Sequence, residues 1–175
     1  GHYDIKGQDT IPTTHPQSDI KWPNGPDIPL RPPYSLAAAR NGVALIQAAK
    51  PLPGVRVSSI GLFGHSRGSM EVLRIASISA DPGAVVAVAG YISTDMINNL
   101  RAPVLILQGT ADELIDVKTA RDFEKSLRAS GKTVETFYYE DAPHRIPWLM
   151  PWQDDVRQRD LAFLTKNLKP QGYGL

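Results

Sequence analysis

The chain has 175 residues, 42% of them hydrophobic and 21% charged, which is enough to bury the core of one domain. A formal net charge of +1 with scattered Lys and Arg gives no global field, and argues against nucleic acid or an anionic membrane as partner. The absence of cysteine excludes disulfides, thiolate metal sites and a cysteine nucleophile, and no run approaches the roughly 20 apolar residues of a membrane span.

Gly1-His2-Tyr3-Asp4 has no basic region followed by an apolar run, so no signal peptide is expected here. Residues 1–34 read as a proline-rich extended arm or connector: prolines 12, 16, 23, 26, 29, 32 and 33 fix φ and remove donors. Such an arm either covers a site or joins this unit to another. Residues 35–175 then form the body of the fold.

Ser35 is placed to cap a helix running to about Lys50, with Val43, Ile46 and Ala49 at helical spacing and Pro51 as its stop. Val57–Phe63 reads as a buried strand and Met70–Ser79 as a helix, with Leu73, Ile75 and Ala76 as core candidates. Ala84–Ala89 and Val104–Gln108 are apolar runs of strand length. Lys118–Ala129 is an amphipathic helix whose inner edge is Val117, Ala120, Phe123, Glu124 and Leu127, and Gly131 ends it. Thr133–Tyr139 is a strand, and Asp155–Leu168 a closing helix. Strands alternate with helices, and three strands are apolar throughout. This predicts an α/β fold with a mostly parallel sheet covered by helices on both faces.

Between the first strand and its helix stands Gly64-His65-Ser66-Arg67-Gly68. G-x-S-x-G alone recurs by chance, but in a strand–turn–helix setting it describes a turn that holds a serine hydroxyl clear of the sheet. The glycines are expected because side chains at 64 and 68 would strike the neighbouring strand and helix. Ser66 would then sit at the positive end of a helix, with the backbone N–H of Arg67 ready to receive an oxyanion. The Arg67 side chain could steer an anionic substrate, but is more simply read as structural or solvated.

Asp112, past the strand ending at Gln108, is the expected acid; Glu113 and Asp116 compete for that role, Asp116 being the better cap for the helix at Lys118. His144, after the last strand, is the expected base, and Ser, Asp and His follow in that chain order at strand ends. His65 is expected to pack beneath the serine, because a base must reach the hydroxyl from outside the turn. Trp148 and Trp152 either line an acyl or aromatic pocket or cover the core. No metal or cofactor is called for.

The segments Val57–Gly68, Ala102–Asp112 and Asp141–His144 resemble the α/β-hydrolase superfamily, and within it the dienelactone-hydrolase and prolyl-oligopeptidase-like esterases. The resemblance spans about residues 35–168. It implies a Ser66–His144–Asp112 triad acting on a small-molecule carboxylic ester through an acyl-enzyme. The same triad would serve a peptidase or acyltransferase, and a non-catalytic binding or assembly module on this fold is the reading from another class. The resemblance also implies eight strands, with the serine turn after the fifth. Tyr3–Gly7 looks like the segment following the fourth, so the first four strands, and the second oxyanion donor from the loop after the third, are expected to be absent. The strand 57–63 would then present an unpaired apolar edge, to be covered by a companion chain, a second copy or the proline-rich arm.

Overall fold

The computed structural model describes residues 32–55, 60–92 and 94–168. The expectations for the proline-rich arm before residue 32, for Tyr3–Gly7 and for positions 57–59 of the first strand lie outside the described residues.

Helix α1 runs Pro32–Ala49. It begins before Ser35, so that residue lies in the first turn and is not the cap that its sequence position suggests. Pro32 and Pro33 open a helix instead of continuing the arm. Proline is at home there, since the missing N–H has no helical acceptor anyway and φ is already set. Strand β1 is Gly61–His65, β2 Ala84–Val88, β3 Val104–Gly109 and β4 Val134–Tyr139. All neighbouring pairs are parallel, in the order β1-β2-β3-β4. Helices α2 (Arg67–Ile78), α3 (Thr94–Ile97), α4 (Val117–Ala129) and α5 (Gln153–Asn167) fill the connections. The four residues of α3 are too few for a period to show in sequence.

The sheet is covered on both faces, as the apolar strands require. Val85, Ala87, Val104 and Ile106 point to a core closed by Leu73 and Ala76 of α2, Ile97 of α3 and Ala120, Phe123 and Leu127 of α4. Val86, Val88, Leu105 and Leu107 point the other way, against Val156 and Phe163 of α5. Ile75 is only half-buried, and Glu124 faces the β4 side chains Thr136 and Tyr138, whose hydroxyls it accepts at 3.0 and 2.7 Å.

Strand β1 is less buried than its apolar composition suggests, and among the described strands it has the unpaired edge that the resemblance implies. β2 and β3 are buried along their whole length, but β1 exposes Gly61 and leaves Phe63 47% exposed. The reason is its position: within the described sheet β1 pairs with β2 alone, so one of its sides lacks a neighbour. Because every strand is parallel, His65, Val88, Gly109 and Tyr139 end on one rim, and the loops that follow them face each other there.

Candidate active site

The turn after β1 places Ser66 at φ 55°, ψ −122°, a conformation that L residues avoid at a cost of about 1–3 kcal/mol. The surroundings over-determine it. The Ser66 N–H donates to the Val88 carbonyl at the end of β2 (2.8 Å), and its own carbonyl accepts the Ser69 N–H (3.0 Å) and the Ser69 hydroxyl (2.9 Å). Two glycines make room. A Cβ at Gly64 would strike the main chain of Gly68 and come within 2.6 Å of the Ser69 nitrogen; one at Gly90 would collide with the Ser69 side chain. The expected collision at Gly68 does not occur, because that position faces open space on the first turn of α2. Ser66 stands immediately before α2, yet its hydroxyl makes no capping bond to it. Arg67 opens the helix with its side chain exposed; an N–H at this position has no carbonyl four residues back to receive it.

Asp112 lies in the loop after β3 and its side chain is fully buried. Oδ1 accepts the N–H groups of Leu114 and Ile115, both at 2.8 Å, while Oδ2 accepts the Gln108 amide at 2.7 Å. Both oxygens reach His144 Nδ1, at 3.0 and 2.8 Å. Burial alone would push this carboxyl up, but the bonds from His144 and the two amides outweigh it and hold Asp112 below the ordinary carboxylate value. The competing acids take other tasks. Asp116 caps α4 by accepting the Lys118 N–H at 2.8 Å, as its position suggests, and Glu113 accepts the backbone N–H of His144 at 3.1 Å.

His144, in the loop after β4, is 3% exposed. An ionised Asp112 at Nδ1 fixes the proton on that nitrogen. Nε2 is then the bare lone pair, buried and without a hydrogen-bond partner among the described residues. The Ser66 hydroxyl makes no hydrogen bond to it: the structure joins His144 to Asp112 and puts the serine on the same rim, out of hydrogen-bond contact with the imidazole.

His65, the last residue of β1, donates from Nε2 to the His144 carbonyl at 2.8 Å. Its ring centroid lies 4.7 Å from that of His144 and 4.5 Å from that of Trp148, the latter edge-on. Burial pulls its pKa below the usual histidine value, the bond to the carbonyl opposing this only in part. Trp148 ends a 3-10 turn, Ile146–Trp148, and is 59% exposed beside this pair. Trp152 instead is half-buried and packs against the core of Tyr139, Ile146, Val156 and Phe163. The two tryptophans named together from sequence are therefore separated by the fold, one at the rim and one in the packing.

Sequence reasoning missed three participants. Gln108 carried a signal, as the one polar residue ending an otherwise apolar strand. Glu113 was weighed only as a rival acid, and the bond from His65 to the His144 main chain left no trace in local pattern.

Residues 32–146 match the model of the dienelactone hydrolase family. A 53-residue stretch is 34% identical to the uncharacterized peptidase YtmA of Bacillus subtilis (strain 168), covering 30% of this chain and 21% of that protein. Among solved structures, a Klebsiella pneumoniae protein assigned as a dienelactone hydrolase is similar at a TM-score of 0.69 and 22% identity, over 74% of this chain and 61% of that one. Esterase PE8 is similar at a TM-score of 0.66 and 20% identity, over 77% and 62%. At such identities the structures establish the shared α/β-hydrolase fold. The chain spans less than two thirds of the length of each of these three proteins. With a match that runs over well more than half of its length, the chain belongs to the dienelactone hydrolase family.

Proposed function

We propose that this chain carries the catalytic triad of a serine hydrolase, with Ser66 as nucleophile, His144 as general base and Asp112 as the acid that orients it. One observation carries the reading: a buried imidazole anchored at Nδ1 by an ionised carboxylate, its Nε2 bare, on the same rim as a serine held in a strained turn. In the first step Nε2 takes the Ser66 proton as Oγ bonds to an acyl carbon, and the carbonyl oxygen becomes an oxyanion. The N–H of Arg67, at the positive end of α2, is the oxyanion donor assigned here. Collapse expels the leaving group, which receives the proton from Nε2. Water, deprotonated by the same nitrogen, then cleaves the acyl-enzyme and returns Ser66.

A carboxylic ester is the substrate class we favour, with Trp148 as an aromatic wall beside the base. The family match supports hydrolysis in general, and the exposed ring at the rim supports an apolar acyl or alcohol group. Amide cleavage by the same residues differs in its demand on the leaving group, which needs the proton from His144 earlier. A fluorophosphonate probe tests the nucleophile by intact mass. One adduct, absent from Ser66→Ala, is expected, together with turnover of an unactivated alkyl ester and none of the matching alkyl amide. No adduct on a folded protein supports the non-catalytic module instead, and turnover of the amide supports a peptidase.

A further inference from the structure

Resting on that reading, we propose that His65 is a positioning residue: through the His144 carbonyl it ties the strand that carries Ser66 to the loop that carries the base, and its ring supports Trp148. Three separate grips hold His144. Asp112 takes the side chain at Nδ1 (2.8 Å), Glu113 takes the backbone N–H (3.1 Å), and His65 takes the backbone C=O (2.8 Å). The first two come from the loop after β3. Only the third comes from β1, one residue before Ser66. A carbonyl oxygen can only accept, so His65 carries its proton on Nε2, and this proton is the link.

The same ring does a second job. Its contacts with His144 (4.7 Å) and with Trp148 (4.5 Å, edge-on) put it between the base and an indole that is 59% exposed. An exposed tryptophan without a neighbour to lean on would sample several rotamers, and holding it costs entropy that a substrate would otherwise meet on binding. The donor nitrogen of His65 therefore governs where the base stands, and the flat ring governs how the indole is presented. Those two functions separate by substitution. Phe keeps a ring and loses the donor; Gln keeps an N–H able to reach the carbonyl and loses the ring.

The experiment measures steady-state ester hydrolysis, the rate of fluorophosphonate labelling and ring-nitrogen NMR of the histidines on the full chain. His65→Phe is expected to lower kcat and the labelling rate about 10- to 100-fold with KM little changed, as for a reacting group displaced by a fraction of an ångström to an ångström. His65→Gln is expected to recover most of kcat and to raise KM several-fold. In the wild type the His65 proton resides on Nε2 and the His144 proton on Nδ1; in His65→Phe the His144 ring signals broaden. The inference is overturned if His65 proves to be protonated on Nδ1 alone, if the two variants show the same kcat and KM, or if His65→Phe leaves the His144 signals and the labelling rate unchanged. A wild-type protein that never labels sinks the serine-hydrolase reading, while the ring-nitrogen spectra still decide whether His65 holds His144.

Discussion

Asp112 and His144 stand 32 positions apart in the chain, yet Oδ2 of one lies 2.8 Å from Nδ1 of the other, with both side chains buried. The carboxylate is fixed from behind by two amides and Gln108, so the imidazole takes its orientation from a group that cannot itself turn. Asp112→Asn removes the charge and the tautomer preference while keeping the shape. Turnover should fall by about 10⁴-fold on a protein that still folds, with stability lower by about 1–3 kcal/mol because the Asn amide is a donor among donors. Asp116→Asn, altered only at the cap of α4, should leave turnover within a few-fold. Parallel assays of the two variants check this, and the reverse ranking assigns the acid to Asp116.

Gln108→Met tests the support behind the carboxylate. Removing the Gln108 amide leaves one bond fewer to orient the buried carboxylate, so kcat/KM should fall about 10-fold while the fold is kept. A kcat/KM equal to that of the wild type refutes the support.

The glycines of the serine turn should respond unequally. Gly64→Ala and Gly90→Ala overpack backbone and Ser69, and each is expected to destabilise by about 1–3 kcal/mol. Gly68→Ala meets nothing within 4 Å on the first turn of α2 and should stabilise by up to about 1 kcal/mol. Urea unfolding of the three variants measures both signs.

Asp160 offers a test by pH. It sits on the inward stripe of α5 between Val156 and Phe163, its Oδ1 lacks a hydrogen-bond partner among the described residues, and burial pushes its carboxyl up to about 7. The folded state then holds this proton more tightly than the unfolded state, so the group's stabilising contribution is full below about pH 4 and is lost as pH rises to about 7. Asp160→Asn should match the wild type near pH 4 and exceed it by roughly 1–4 kcal/mol at pH 8, with the difference level above that. Stability curves for the pair, compared at each pH, decide it; a constant difference would show that the carboxyl is not shifted.

Much of this was legible from residue order. The apolar runs at 84–89 and 104–108 became β2 and β3 within a residue, because a strand buried on both faces has no alternation to confuse its ends. The turn at Gly64–Gly68 was visible because steric demand had removed two side chains, although one of the two proved open. The composition of Val57–Phe63 reads as a buried strand, and its outer place was legible only through the family resemblance, since apolar composition says what a strand prefers and not which neighbours it has. Glu113 and His65 were beyond reach for a different reason. Their partners are main-chain atoms of His144, and a backbone N–H or C=O carries no residue identity for a pattern to detect.

His65 and Ser66 are covalent neighbours, and the bond from one to the His144 carbonyl means that the hydroxyl and the imidazole share a single mechanical ground. Whatever comes to lie against the outer side of β1 would therefore press on Ser66 directly and, through that one bond, on the loop that carries His144.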